Sequence, residues 1–70
     1  MEMVSVISSN VAQVGYDAAT NSVYVRFLNN ALYRYYDVPE FVYQELLAAP
    51  SVGSYLNRNF KNVYAYERVE

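Results

Sequence analysis

The side chains with the clearest chemical potential in this sequence are tyrosines and arginines that alternate in two adjacent segments. Nine of the 70 residues are tyrosine, and the segments VYVRF and YRYY combine them with arginine. Tyrosine rings stack on exposed bases and arginine contacts phosphate, a combination typical of sites for single-stranded RNA or a nucleotide-like ligand. The candidate ligand-binding residues are Tyr24, Arg26, Arg34 and Tyr36, extended by Arg58 and Lys61 near the end of a later helix.

A structural interpretation of the same residues stays open. Tyr24 and Tyr36 can form a cross-strand aromatic pair, with the two arginines on a solvated face. The formal net charge of −2 favours this alternative, because binding to nucleic acid draws on several basic contacts. Tyrosine and arginine are also enriched at protein interfaces, so a protein-interaction module or a homo-oligomeric accessory protein is the alternative function.

A second candidate is a polar notch at the start of the same helix, formed by Ser51, Gly53 and Asn57. Exposed backbone amides at a helix N-terminus favour an anion. In the structural alternative, Ser51 caps the helix and Gly53 lets it pack closely against the first helix or the sheet.

Catalytic and metal-binding chemistry is not expected, because histidine and cysteine are both absent. Their absence removes the usual general base near neutral pH, the commonest metal ligand and every thiolate site. A Ser-His or Cys-His pair therefore cannot form. The acids in the body of the fold each have a structural explanation, at turns or on a helix surface: Asp17, Asp37, Glu40 and Glu45. We expect neither an enzyme nor a bound metal or cofactor.

Length and composition indicate one folded domain over residues 1–70. Hydrophobic residues make up 54% of the chain, which is unlike a disordered sequence. A core of this size gives modest stability, so self-association is one expectation. The sequence has no apolar run of transmembrane length and no signal-peptide pattern at its start. We therefore expect a cytoplasmic protein that does not contact membranes.

Alternation of β-branched and aromatic residues predicts strands over Val11–Asp17 and residues 22–28. Gly15 indicates a bulge or a close approach by another backbone, and residues 18–21 form a turn. Residues 1–10 allow an edge strand for dimerisation or a loose lead-in, and we expect the lead-in, because termini often fray. Residues 63–69 alternate again and predict a last strand.

The register of the central hairpin depends on the turn at Asn29-Asn30. A two-residue type I′ turn pairs Leu28 with Ala31 and places Tyr33 and Tyr35 on the Tyr24/Arg26 face. A type I turn with a bulge, and Asn30 in the left-handed region, pairs Phe27 with Ala31 instead. We favour the bulged turn, because it creates one continuous apolar face: Val23, Val25, Phe27, Ala31, Tyr33 and Tyr35. Tyr33 and Tyr35 are then core residues.

Two helices follow the hairpin. The first starts at Pro39, places Val42, Leu46 and Ala49 on one apolar stripe, and ends before Pro50. The second starts after Ser51, and its apolar face comprises Val52, Tyr55, Leu56 and Phe60. Together the elements predict an α+β fold, a small antiparallel meander of three to five strands with two short helices packed on one face.

The ordered set of motifs resembles the KTSC domain family, which is named for the C-terminus of some lysyl-tRNA synthetases and also occurs as short stand-alone proteins. The resemblance covers residues 11–64 through GYD, the hairpin asparagines, the family's Tyr-x-Tyr marker (Tyr33 and Tyr35), VP and SVG with Asn57. Asn30 stands where the family commonly has glycine, and Phe60-Lys61 where it has Ile-Arg. Lysine lacks the planar fork of arginine, which weakens a phosphate clamp there.

The resemblance implies a fold but no established biochemical activity. The synthetase context raises the expectation of RNA binding, although a fold does not fix a function. We therefore expect a non-catalytic binding domain for single-stranded RNA or a nucleotide-like ligand, with a protein partner or self-association as the alternative.

Overall fold

Seven secondary-structure elements follow one another in the computed structural model, which describes residues 1–70. They are β1 (Met3–Ser5), β2 (Val11–Asp17), β3 (Ser22–Phe27), β4 (Leu32–Tyr35), α1 (Glu40–Ala48), α2 (Val52–Asn59) and β5 (Tyr66–Arg68). The strands form one antiparallel sheet in the order β1-β2-β3-β4-β5. The predicted α+β meander with two helices is confirmed, with five strands.

The β3–β4 hairpin has the bulged turn that we favoured. Val23 pairs with Tyr35 and Val25 with Tyr33, and the Phe27 amide donates to the Ala31 carbonyl over 2.9 Å. Asn30 has a φ of 72°, which asparagine tolerates better than most residues. This register puts Tyr33 and Tyr35 on the face of the sheet that the helices cover.

The core lies between that face and the two helices. Its fully buried side chains include three strand valines, one leucine of α1 and the residue after α2: Val14, Val23, Val25, Leu46 and Phe60. Phe60 packs against three tyrosine rings, with centroid distances of 5.2 Å to Tyr35, 6.2 Å to Tyr55 and 5.1 Å to Tyr64. The opposite face of the sheet carries no helix, and we call it the outer face.

Both helices begin close to the predicted residues. Pro39 is the N-cap of α1, and the buried side chains of this helix are Val42, Tyr43 and Leu46. Ala49 is only half-buried, because the helix has already ended there. Ser51 caps α2, and its hydroxyl accepts a hydrogen bond from the Ser54 amide over 3.2 Å.

The N-terminal segment corrects our expectation of a loose lead-in. Met3–Ser5 is an edge strand that pairs with β2. Gly15 makes this pairing possible, because a Cβ atom there would lie 2.9 Å from the Glu2 carbonyl oxygen. The close approach predicted at Gly15 is therefore confirmed, whereas the irregularity in the ladder lies at Val11/Gln13.

The two remaining corrections concern Gly53 and the last strand. Gly53 packs against the loop before β2, since a Cβ atom there would lie 2.6 Å from Asn10 Oδ1. It therefore makes its closest approach to that loop and not to α1 or the sheet. The last strand is shorter than residues 63–69, because Asn62 adopts a φ of 64° and the Val63 amide still donates to the Phe60 carbonyl.

Candidate functional site

The outer face brings together three of the predicted ligand-binding residues. The Arg34 guanidinium carbon lies 4.6 Å from the centroid of the Tyr36 ring and 5.7 Å from that of Tyr24. Its Nε donates to the hydroxyl of the buried Ser22 over 3.0 Å. The space next to each ring is therefore occupied by a cation of the protein itself, and the arrangement is a cation–π cluster.

The other polar groups of the outer face also have partners within the protein. Arg26 Nη1 lies 2.8 Å from Glu70 Oε1 and donates to the Asn30 carbonyl over 2.9 Å. A hydrogen bond to Glu67 raises the pKa of Tyr36, with smaller contributions from burial and the Glu67 charge, against the opposing effect of Arg34. The side chains of the predicted patch therefore contact one another and do not form an open phosphate site, as the structural alternative expected. The expected pairing of Tyr24 with Tyr36 is wrong, because the Arg34 guanidinium lies against both rings.

Arg58 and Lys61 do not extend that patch, which corrects the predicted grouping. Both belong to the helix side of the sheet, because α2 packs on the face opposite to Tyr24 and Arg34. Arg58 borders a polar hollow with Pro50, Ser51 and Tyr55. Lys61 lies at a different cavity.

The predicted notch of Ser51, Gly53 and Asn57 is also divided. The Ser51 hydroxyl is used in the helix cap, and this residue borders the same hollow as Arg58. Gly53 and Asn57 instead line the cavity that contains Lys61. The capping residue and the two residues with access to the cavity therefore border different hollows on α2.

The cavity between the sheet and α2 gathers residues from most parts of the chain. Its volume is about 350 Å³. The lining comprises four aromatic rings, three asparagines, one lysine and three smaller or aliphatic residues: Phe27, Tyr33, Tyr35, Tyr66, Asn10, Asn29, Asn57, Lys61, Ala31, Gly53 and Leu56. We call this space the tyrosine cavity.

The rings of the tyrosine cavity form a continuous aromatic wall. The Tyr33 ring meets Phe27 edge-on at 5.5 Å and lies 5.8 Å from Tyr66. The Tyr66 ring is also 5.6 Å from Tyr35. Tyr35 is 9% exposed and Tyr66 is 57% exposed, so the wall runs from a buried floor to an open rim.

The polar side chains of the cavity make fewer hydrogen bonds and ion pairs within the protein than those of the outer face. Asn29 accepts a hydrogen bond from the Ala31 amide, and Asn10 accepts one from Ser8. Asn57 and Lys61 are both exposed, and the one salt bridge of the protein lies elsewhere, at Arg26 and Glu70. Lys61 is the single charged residue of the lining, and no carboxylate opposes it.

The Tyr35 hydroxyl at the floor of the wall is protonated at neutral pH. Burial raises the pKa of Tyr35, and the neighbouring Tyr66 and Tyr33 add to the shift. No buried polar side-chain atom lacks a hydrogen-bond partner. The cavity can therefore offer hydroxyl and amide hydrogen bonds around an aromatic surface, with one positive charge at its edge.

Sequence reasoning assigned Tyr33 and Tyr35 to the core and did not select Phe27, Tyr66, Asn10 or Asn29 as site residues. Tyr35 is indeed buried, whereas Tyr33 is half-buried. A signal for Tyr66 was present, because pairing β5 with β4 places it opposite Tyr35. The asparagines carried no such signal, since their positions depend on how two loops approach α2.

Two further features are absent from the structure. The structure contains no cluster of three or more potential metal-ligating side chains. None of its helices combines the length and the apolar character needed to cross a membrane. The tyrosine cavity is the feature with the most convergent chemistry.

A five-stranded antiparallel meander with two helices on one face, and a tyrosine-lined cavity beneath α2, defines a small α+β domain. The sequence model of the KTSC domain matches residues 7–64. The chain therefore belongs to the KTSC domain family, and the resemblance found in its motifs is confirmed.

The similar proteins include both stand-alone chains and parts of larger ones. An uncharacterised protein of Stutzerimonas stutzeri is 41% identical over the whole of both chains. A lysine–tRNA ligase of Trichormus variabilis is 31% identical over 87% of this chain, which corresponds to 11% of the ligase. The crystal structure of a KTSC domain protein from Yersinia pestis superposes with a TM-score of 0.94 at 25% identity, over 99% of this chain and 97% of that one.

Proposed function

We propose that this chain is a non-catalytic cytoplasmic module that binds one nucleotide unit, either free or within single-stranded RNA, in the tyrosine cavity. The observation that carries the proposal is the lining itself, four aromatic rings beside three amides and one unopposed lysine. Aromatic rings provide stacking surfaces for a base, and a cation at the edge is suited to its phosphate. The cysteine-free composition is compatible with a reducing compartment.

The size of the cavity supports a small ligand. Ligand pockets in proteins commonly span about 300–1,000 Å³, and this one has about 350 Å³. A single base with its sugar suits such a volume, and neighbouring nucleotides of a strand would continue over the open rim at Tyr66. The buried Tyr35 floor excludes deeper entry.

The charge distribution supports an anionic ligand in spite of the acidic chain. The formal net charge is −2, which works against long-range attraction of nucleic acid. The cavity differs from this average, because Lys61 is its only charged residue. One phosphate contact predicts weak binding with a shallow dependence on salt concentration.

The related proteins support RNA as the source of the nucleotide. Two of them, from Trichormus variabilis and Nostoc punctiforme, are lysine–tRNA ligases by name. In each of them this domain corresponds to 11% of the chain. A domain attached to a protein that acts on tRNA lies near RNA. We propose that the stand-alone chain also takes its nucleotide from RNA.

The test is an NMR titration of ¹⁵N-labelled protein with adenosine 5′-monophosphate, and separately with short single-stranded RNA, at low and at physiological salt. We expect saturable shifts at Tyr33, Asn57, Lys61 and Tyr66 with both probes, and tighter binding of RNA if the strand is the natural source. Shifts confined to Tyr24, Arg34 and Tyr36 would move the site to the outer face. No shifts, with linewidths too broad for 70 residues, would favour self-association or a protein partner.

One lysine variant and one arginine variant test whether the ligand binds in the cavity. Lys61→Gln removes the cation of the cavity and should weaken binding about three- to tenfold, as expected for loss of one charged phosphate contact. Arg58→Gln removes the same charge from the same end of α2 outside the cavity, and it should leave the affinity within about twofold of the wild type. Equal losses in both variants would indicate a general charge effect and contradict a site at Lys61.

A further inference from the structure

The outermost wall of the tyrosine cavity comes from the least anchored strand of the sheet. β5 comprises three residues, Tyr66–Arg68, and all three are exposed. It pairs only with β4, at the edge of the sheet. The segment before it turns through Asn62 in the left-handed region. Few buried contacts and an exposed ladder are the features of a segment that opens locally at low free energy.

Backbone hydrogen bonds join β5 to β4, among them Tyr36 N–H to the Ala65 carbonyl at 2.9 Å and Val69 N–H to the Leu32 carbonyl at 2.7 Å. Two of its side chains also contact β4 or the residue after it, Tyr66 through the rings of Tyr33 and Tyr35 and Glu67 through the Tyr36 hydroxyl. A further contact is the ion pair between Glu70 and Arg26 at 2.8 Å. Arg26 belongs to β3 and projects on the outer face, so this pair reaches across β4 on the side opposite to the cavity.

We propose that β5 is an adjustable wall of the nucleotide site, with Tyr66 as the ring that closes over the base and the Glu70–Arg26 pair as its latch. This proposal deepens the proposed function and rests on it. Tyr66 lies 5.6 Å from Tyr35 and 5.8 Å from Tyr33, so it completes the aromatic wall only while β5 is paired. The latch therefore influences the cavity through the strand, without touching the ligand.

Loss of the latch should change the affinity for the ligand in the direction opposite to that expected from net charge. Replacing Glu70 by glutamine makes the chain less acidic, which by itself should favour an anionic ligand. The same change removes the ion pair and lets β5 open more often, which should weaken binding. An exposed ion pair of this kind corresponds to about a two- to fivefold change in an equilibrium. The sign of the effect thus separates the latch from a general charge effect.

The binding experiment is the titration with adenosine 5′-monophosphate on four variants. We expect Glu70→Gln to weaken binding about two- to fivefold, and Glu2→Gln, the matched charge change near the opposite edge of the sheet, to leave it unchanged or slightly tighter. Tyr66→Ala should weaken binding at least about fivefold, and Tyr66→Phe should weaken it less than Tyr66→Ala does, because stacking needs the ring. Tighter binding by Glu70→Gln would overturn the latch, and unchanged binding by Tyr66→Ala would overturn the closing ring.

A measurement without ligand tests the opening of β5 and the role of the latch separately from nucleotide binding. Amide hydrogen exchange should be faster at Tyr36 and Val69 than in the β2–β3 ladder, and Glu70→Gln should accelerate it further in the β4–β5 ladder alone, at Leu32, Tyr36 and Val69. Equal protection of both ladders, or no response to Glu70→Gln, would overturn the adjustable wall. If adenosine 5′-monophosphate does not bind the wild type, the proposed function fails, and the exchange result still decides whether β5 opens under control of the latch.

Discussion

The two faces of the sheet carry the same kinds of side chain with different outcomes. On the outer face, Arg34 fills the space between Tyr24 and Tyr36, and Arg26 is paired with Glu70. On the helix side, Tyr33 and Tyr66 line an open cavity with Lys61 at its edge. Tyrosine next to a cation is therefore insufficient to define a ligand site. A site also requires rings and charges that the protein has left available.

The physical reason for the difference is the position of the cation. Arg34 lies directly opposite Tyr24 in the β3–β4 ladder. The guanidinium therefore reaches the neighbouring rings while the backbone keeps its regular strand pairing. Lys61 comes from the turn after α2 and has no carboxylate partner in the cavity. Cross-strand neighbours satisfy each other, whereas a residue delivered by a separate element can remain free for a ligand.

The largest expected effect is on stability, and it distinguishes the helix-covered face of the sheet from the outer face. Phe60→Ala removes a fully buried ring that contacts Tyr35, Tyr55 and Tyr64, and should lower the free energy of unfolding by about 3–5 kcal/mol. Tyr24→Ala on the outer face should cost about 1 kcal/mol or less. Urea unfolding followed by circular dichroism measures both. Similar losses from the two changes would mean that the outer face is as strongly packed as the core.

The next effect concerns binding. Tyr33→Ala removes a half-buried ring of the cavity and should weaken binding of adenosine 5′-monophosphate by about 1–3 kcal/mol, the range of one base–aromatic stack. Tyr36→Ala removes a ring from the outer face and should leave the dissociation constant unchanged. Titration by NMR distinguishes them, provided that both variants keep the dispersion of the folded protein. The reverse order of effects would place the nucleotide on the outer face.

A smaller effect is expected from Arg34→Gln, which empties the space between Tyr24 and Tyr36. Loss of two cation–π contacts and the hydrogen bond to Ser22 should lower the free energy of unfolding by about 1 kcal/mol. The affinity for adenosine 5′-monophosphate should not change, because this guanidinium lies on the far side of the sheet. Reduced affinity with unchanged stability would show that Arg34 contacts the ligand.

The smallest effect is a dependence on pH at the contact between α1 and α2. Tyr55 donates a hydrogen bond of 2.7 Å to Glu45, which together with burial and the Glu45 charge raises the pKa of Tyr55 to about 12. The unfolded phenol has its ordinary pKa of about 10, so this stabilisation is fully present below pH 10 and is lost as the pH rises toward 12.

We therefore expect Tyr55→Phe to cost about 0.5 kcal/mol at pH 7, since the hydrogen bond is exposed to solvent. The difference from the wild type should vanish near pH 12. Tyr36→Phe is the counterpart on the outer face, and its effect should be weaker, because Arg34 opposes the rise in the pKa of Tyr36. Unfolding measured between pH 7 and 12 decides this. A difference that persists at pH 12 would contradict the role of the Tyr55 proton.

Much of the fold was predictable because its signals are local. The bulged hairpin turn was predictable because it places Val23, Tyr33 and Tyr35 on one apolar face, and the observed pairs agree. Ser51 was recognised as a cap from its side chain alone. The edge strand β1 was only the less favoured alternative, because its pairing with β2 depends on the space that Gly15 leaves for it.

The candidate site was less predictable than the fold. Two members of the predicted patch, Arg58 and Lys61, lie on the helix side, and Ser51 is separated from Gly53 and Asn57. Sequence spacing places a residue on a helix, but it does not say which cavity the helix borders. The side chains of the outer face were grouped correctly, since they occupy neighbouring strands in a fixed register.

By itself, the sequence determined the three central strands, the hairpin register, the Ser51 cap and the family, because alternation, turn residues and capping residues act over a few positions. Only the tertiary structure decided which tyrosines face a cavity, where Lys61 lies, and how Glu70 reaches Arg26. The reason is that α2 and β5 each meet strands far away in the chain. The chemistry available to a ligand is set where those distant segments pack together.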